Sequence, residues 1–339
     1  MKTLWKTAFI SAFVLALSAM LIPSAGQAAS GFYDGKVITL IVPNSPGGRM
    51  TRYARLYAPY IAQYSGAKEV RIVNKKGGGG VKGTNFLWSS KPDGSTIAFT
   101  SVPTLILAQL SGSKAVQFDA TKFVYLGRAA TEPRVMVVGG TSKIKSIQDV
   151  QKMGRPFVNP SQGTDEDFYT LAVLGDSLDF KLKIVTGYEG QADTGVAIIK
   201  GDGDGLLTSW AYTIPLIKNG DMRPILTIWQ DRHPDYPNVP SVLEMVKGDK
   251  KDAVQAIVNM LAMHRGFFGP PNMDPKATAA LRAAISKASA DSKLQAEGKK
   301  QGLILLPSDG ETEQARIVQI TKASQGIVPV LKAALQSIK

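Results

Sequence analysis

The chain has 339 residues, with 40 Lys and Arg against 27 Asp and Glu for a formal charge of +13, and it contains no cysteine. The missing thiol excludes disulfide stapling, lipoprotein attachment and thiol chemistry. The basic residues are scattered, with no run of five or more, so the charge reads as a basic surface, one suited to an anionic substrate, and not as a nucleic-acid footprint.

Lys2 and Lys6 precede an apolar core from Ala8 to Leu21, and the small residues Ser24, Ala25, Gly26, Ala28 and Ala29 follow. The pattern predicts a secretory signal peptide over residues 1–28, cut after Ala28; its apolar run is short for a bilayer span and no stop-transfer flank follows. Export to the periplasm is expected. Loss of Lys2 and Lys6 takes the charge from +13 to +11, and about 310 residues remain, enough for two domains.

Val37 to Val42 is an apolar strand that empties into the turn Pro43-Asn-Ser-Pro-Gly-Gly48. Tyr53, Leu56, Tyr57, Tyr60, Ile61 and Tyr64 then recur at i, i+3, i+4, i+7, i+8 and i+11, the buried stripe of a helix. A helix N-terminus offers unpaired N–H groups and a positive dipole end, and glycine lets a ligand come close to that backbone. Ser45, Pro46, Gly47 and Gly48 are therefore candidates to hold an anion.

Further strands are expected at Val70 to Val73, Thr96 to Thr100, Phe123 to Leu126, Val135 to Val138 and Pro156 to Val158. Between the first two of these, Asn74-Lys-Lys-Gly-Gly-Gly-Gly-Val-Lys-Gly83-Thr84 lacks the Gly-Lys-Ser/Thr ending of a phosphate loop. It reads as a second backbone-rich loop, with Gly79 and Gly80 lining a cleft. A second strand, turn and helix follows at Phe157 to Leu178, where Ser161, Gln162, Gly163 and Thr164 are candidate contacts and Thr164 a candidate N-cap. The plainer alternative, that Asn159, Ser161 and Thr164 only cap a helix, stays open. The loop Tyr188 to Asp193 is placed to close the same cleft. A strand at Leu182 to Thr186, a helix near Ala192 to Lys200 and strands at Gly205 to Thr208 and Arg223 to Trp229 come next. Trp210 and Tyr212 are either core or cleft wall.

The segment His233 to Pro240 reads as a crossing between domains. The remainder is mainly helical, with helices at Lys276 to Lys287 and Thr312 to Lys332 and strands at Phe267 to Phe268 and Leu303 to Leu306. Asp202-Gly-Asp204-Gly205 lacks most of a calcium loop, and the only histidines, His233 and His264, have no metal-ligand spacing. No Gly-x-Ser-x-Gly elbow occurs. The expectation is a non-enzymatic protein without metal or cofactor.

The Pro-x-Ser-Pro-Gly-Gly turn, the glycine loop Val73 to Gly83, Lys91-Pro-Asp-Gly94, Phe118-Asp119 and Asn238-Val-Pro-Ser241 together resemble the solute-binding proteins of tripartite tricarboxylate transporters, the Bug or TctC type. The resemblance implies a type II periplasmic-binding-protein fold, α/β, with two domains joined by crossing strands around a ligand cleft. It implies a discontinuous domain of residues 29–132 and 233–339 and a second of 133–232, closing as a monomer on a small organic acid, a di- or tricarboxylate or an aromatic acid. Membrane transporter subunits are the implied partner. The family's first turn carries over to Ser45 through Gly48, its Ser-x-Gly loop to Ser161 through Thr164, and a position near the cleft to Asp204. Arg49-Met50-Thr51 departs from the family's small, acidic continuation, as do Lys75-Lys76 and Thr186 to Gly190, which bears on the ligand's identity. Arg49 either pairs with a carboxylate or points to solvent. A sensory role before a membrane kinase and, more distantly, an exported hydrolase or isomerase remain as alternatives.

Overall fold

The computed structural model describes residues 31–337; the expected signal peptide, residues 1–28, lies outside them. In chain order the strands are β1 Val37–Val42, β2 Glu69–Asn74, β3 Thr96–Thr100, β4 Val124–Arg128, β5 Arg134–Gly139, β6 Phe157–Ser161, β7 Leu182–Thr186, β8 Gly205–Ser209, β9 Met222–Ile228, β10 Gly266–Gly269 and β11 Ser308–Asp309. They form a six-stranded sheet in the order β11-β4-β10-β3-β1-β2, a three-stranded sheet β8-β5-β9 and a two-stranded sheet β6-β7.

The registers explain why loops distant in sequence meet. β1 runs parallel to β2 with Val42 opposite Asn74, and parallel to β3, so the turns after all three strands leave from one edge. β10 is antiparallel to β3 and β4, with Gly266 opposite both Thr100 and Arg128, which brings the residues just before β10 to that same edge. Elsewhere, β5 begins at Arg134 opposite Ser209, the end of β8, and β6 and β7 end together at Ser161 and Thr186. Ligand crevices in open α/β sheets lie outside the carboxyl ends of parallel strands.

β1 is apolar on both faces because helices cover both: Ile38, Leu40, Ile41 and Val42 are completely buried. On one side the helix Arg49–Ser65 packs along the helix Pro275–Ala290. Its stripe is buried as the spacing predicts at Tyr53, Leu56, Tyr57 and Ile61, while Tyr60 and Tyr64 are half-buried. The helix Glu166–Ser177 packs against the helices Val102–Leu110, Asp249–Leu261 and Val328–Gln336. One apolar core therefore runs from Phe268 of β10 through Leu107 to Leu174 and Phe157 of β6.

Several expectations are corrected. The N-cap of Glu166–Ser177 is Asp165, whose Oδ1 accepts from the Phe168 amide at 3.1 Å, and not Thr164. Leu303 to Leu306 is irregular chain, held by the Leu306 amide on the Ala129 carbonyl at 3.0 Å, and the pairing strand is β11. The helical stretch after Thr312 is broken by a 3-10 turn at Ser324–Ile327. Val102–Leu110 and Trp210–Lys218 are helices with no counterpart among the expected elements. The first is buried nearly all round, so it carries no amphipathic periodicity to read.

Candidate functional site

The converging strand ends surround a cavity of about 460 Å³, within the size range of small-molecule sites. Its walls are the turns after β1 and β2, the start of Val102–Leu110, the first turn of Glu166–Ser177, the loop Gly187 to Gln191, Ser209, and His264 with Arg265.

The turn after β1 is fixed by hydrogen bonds. The Ser45 carbonyl accepts from the Gly48 amide at 3.0 Å and from Thr51 Oγ1 at 2.8 Å, and Asn74 Nδ2 donates to the Asn44 carbonyl and to Thr51 Oγ1, both at 2.8 Å. Gly48 is the N-cap of Arg49–Ser65 and no side chain caps it. The helix Gln191–Lys200 likewise starts at an uncapped glycine, Gly190. Trp210–Lys218 starts at Ser209, whose hydroxyl is turned away to the Glu132 carboxylate. Among the described residues, the helix N-caps Gly48, Gly80, Gly190 and Ser209 all line the cavity, and none supplies a side-chain cap.

The glycine loop meets the site differently. Gly77, Gly78, Gly79 and Gly80 all have positive φ, a conformation that disfavours other residues, and their turn consumes its own amides: those of Gly80 and Lys82 both donate to the Gly77 carbonyl. A Cβ on Gly79 would collide with the Thr164 carbonyl.

The floor is a buried charge network. Arg134 pairs with Glu166, and His264 Nε2 lies 2.7 Å from Glu166 Oε1 and 3.2 Å from Arg134 Nη2. Ser101 donates to the other Glu166 oxygen. Beside this, Arg265 Nε donates to Glu132 Oε2 at 2.7 Å, its guanidinium lies 4.4 Å from the Tyr53 ring centre, and its backbone φ is +63°. Burial pushes the Glu132 carboxyl up, but Arg265 and then Arg134 outweigh it and leave it below its ordinary value. Burial, reinforced by Arg265 and Arg134, keeps the His264 ring well below its usual pKa. Asp167 forms an ion pair with Arg134, whose Nε is 3.2 Å from its Oδ1, yet among the described residues neither atom makes an aligned hydrogen bond. Burial raises Asp167 from 3.8 to about 7 against the pull of Arg134, with Asp165 and Glu132 adding to the rise.

The model of one family, the tripartite tricarboxylate transporter family receptor or TctC, matches residues 55–328 of this chain. The chain belongs to the TctC family. A Pseudomonas sp. (strain P51) protein from the tcbD-tcbE intergenic region is 26% identical over 218 residues, 62% of this chain and 64% of that one, so the match spans just under two thirds of the relative. The periplasmic binding protein BugD has a similar structure, with TM-score 0.72 and 20% identity over 89% of this chain and 98% of its own. MatC from Rhodopseudomonas palustris with bound malate has TM-score 0.69 and 18% identity over 88% and 98%. The type II periplasmic-binding-protein fold expected of a TctC receptor is the fold of this chain.

Within this TctC fold, Ser45, Gly48, Gly79, Gly80 and Gln162 line the cavity. Pro46 and Gly47 do not; both are exposed. Ser161 is buried and its hydroxyl is used locally, donating to the Gly163 carbonyl at 3.0 Å, and Ser161, Gly163 and Thr164 are not part of the wall. Asp204 also lies outside: it grips Arg155 with both oxygens, at 2.6 and 2.7 Å, and accepts from the Val158 amide. Arg49 is half-buried, faces the cavity and donates to the Gly302 carbonyl at 2.8 Å, so it does not simply project into solvent. Trp210 is core, its ring tilted 4.4 Å from His233 and stacked 5.0 Å from Tyr236.

Sequence reasoning missed Arg134, Glu166, Asp167, His264 and Arg265. A signal existed: each is a charged or titratable residue abutting a fully apolar strand or opening a buried helix, where charge is costly without partners.

Proposed function

We propose that this TctC-family protein is a periplasmic receptor that captures a small organic carboxylate by closing two domains on it and delivers it to a tripartite tricarboxylate-type membrane transporter. The observation that carries this reading is the pair of uncapped helix N-termini, at Gly48 and Gly190, around one cavity. Gly48 and Gly190 present first-turn amides and a positive dipole end to the same space, an arrangement suited to carboxylate oxygens; the Trp210 amide after Ser209 donates instead to the Pro133 carbonyl. The malate bound in the MatC structure supports the ligand class.

In this reading residues 29–132 with 233–339 form one domain and residues 133–232 the other. The six-stranded sheet draws its strands from the first set and the two smaller sheets from the second, which supports that division. The chain acts as a monomer and turns nothing over; it needs hinge closure and not a catalytic group. Micromolar affinity requires about 8 kcal/mol, and hydrogen bonds to a charged group contribute about 1.5 to 3 kcal/mol each. Several amides on one or two carboxylates reach that figure after ordering costs.

Thermal-shift screening and titration calorimetry against mono-, di-, tri-, amino- and aromatic carboxylates test the proposal. At least one should raise the melting temperature by several degrees. If carboxyl-free sugars or amines do so and no carboxylate does, the reading is wrong.

A further inference from the structure

Residues 303–306 read Leu-Ile-Leu-Leu, and their burial alternates. Leu303 is 3% exposed and Leu305 packs against the core that Tyr53 and Leu56 share, while Ile304 and Leu306 are 54% and 50% exposed. Alternate side chains of an extended segment point to opposite sides, so the core accounts for the inner pair and leaves the outer pair without a partner. The segment is fixed in place. Three side chains from the start of Arg49–Ser65 donate to its carbonyls, Arg52 to Gln301, Arg49 to Gly302 and Tyr53 to Ile304, each at 2.8 Å. A groove of about 470 Å³, lined by Gln295, Lys299, Gly302 and Ile304 among others, runs beside it. The surround is basic: Lys300 follows Lys299, Arg52 holds Gln301, and Arg55 stands one helical turn further on. All four cations are exposed, and none forms an ion pair among the described residues. The one carboxylate on the same helix turn, Glu297, accepts from Gln301 Nε2 at 2.9 Å.

We propose that this face docks on an anionic phospholipid membrane, with Ile304 and Leu306 entering the headgroup layer while Arg52, Arg55, Lys299 and Lys300 meet lipid phosphates. Charge complementarity decides the occupant. Four unpaired cations around two outward apolar side chains match a surface that is negative outside and apolar beneath, and the long Lys and Arg stems can lie along apolar material with their charges at its polar boundary. A second copy of the chain would set like charges against each other across the same face. Two inserted side chains give reversible attachment and not an anchor. The contact leaves the ligand cavity free, so it goes beyond the carboxylate reading and does not depend on it.

Co-sedimentation with vesicles tests this on the processed chain beginning at Ala29, in which the apolar run Ala8 to Leu21 is gone and cannot insert by itself. Vesicles of phosphatidylcholine alone are compared with an equal mixture of phosphatidylcholine and phosphatidylglycerol. The chain should bind the mixed vesicles and not the plain ones, and salt that shortens the Debye length to about 3 Å should release it. Lys299→Glu with Lys300→Glu, and separately Ile304→Ser with Leu306→Ser, should each weaken binding about ten-fold or more. Lys181→Glu with Lys183→Glu, exposed beside β7, reverses the same charge elsewhere and should weaken it far less. Thermal melts check that each variant folds, and the lysine pair carries the test if the serine pair does not. The inference is overturned if the mixed vesicles are not bound, if plain vesicles bind equally well, if a folded variant of either local pair binds like the parent, or if the remote pair costs as much as the local one. A parent dimer dispersed by the Ile304 and Leu306 substitutions would assign the face to a second copy and overturn it too. Carboxylate titrations on the same variants should match the parent, so failure here leaves the receptor reading intact.

Discussion

Gly79 lies directly against the Thr164 carbonyl, joining the loop after β2 to the loop after β6 across the mouth of the cavity. Its φ of +62° and that contact make glycine necessary for two separate reasons. Gly79→Val should cost about 1–2 kcal/mol through left-handed strain and, by holding the two loops apart, should weaken ligand binding ten-fold or more. Calorimetry beside a thermal melt separates the two effects; unchanged affinity in a folded variant would show that the contact has no part in closure.

Gly190 offers a cleaner probe of the helix N-termini, because a side chain there meets open space and its φ of −171° is ordinary extended backbone. Gly190→Asp should cap Gln191–Lys200, leaving stability equal or a few tenths of a kcal/mol higher. The new carboxylate would compete for the amides that a ligand uses, so affinity should fall about ten-fold while the melting temperature does not. Equal affinity for the best carboxylate would argue against this helix as a contact. By contrast, Gly47 sits outside the cavity, and Gly47→Ala should leave binding unchanged.

Glu166 is the hub of the buried network, 3% exposed and shared by Arg134, His264 and Ser101. Glu166→Gln removes the charge that compensates Arg134, and breaking one side of a buried pair costs about 3–5 kcal/mol. Urea unfolding should show a loss of that order. A change below about 1 kcal/mol would mean that Arg134 finds another partner.

Asp167 and His264 give the unliganded protein opposing pH dependences. Burial, with Asp165 and Glu132 and against Arg134, raises Asp167 to about 7, so the folded state holds a proton that the unfolded chain releases from about 3.8 upward. Its stabilising contribution is complete below 3.8 and is lost as pH rises to about 7. His264 is held well below 6.5 by burial and by the two arginines, so the unfolded chain takes up a proton first and stability is lost as pH falls below 6.5. Asp167→Asn removes only the first effect. The unfolding free energy of the variant minus that of the parent should therefore climb between about pH 4 and pH 7.5, at up to roughly 1.4 kcal/mol per unit. A flat difference would mean that Asp167 titrates normally.

Periodicity alone determined the β1, turn and helix unit, the alternation of strands with helices, and the glycine loop that fails as a phosphate site. These are local properties, carried by neighbours in sequence: the stripe from Tyr53 to Ile61 is buried because its spacing matches a helix turn. Which turn residues face inward was not local. Gly47 and Gly48 are adjacent and chemically identical, yet only Gly48 reaches the cavity. Asp204 looked available until folding placed Arg155 and the Val158 amide beside it. The network of Arg134, Glu166 and His264 spans 130 residues of sequence, and only the antiparallel entry of β10 beside β3 and β4 brings it together. Sequence fixes what each residue prefers nearby; strand register decides which distant charges must share a site.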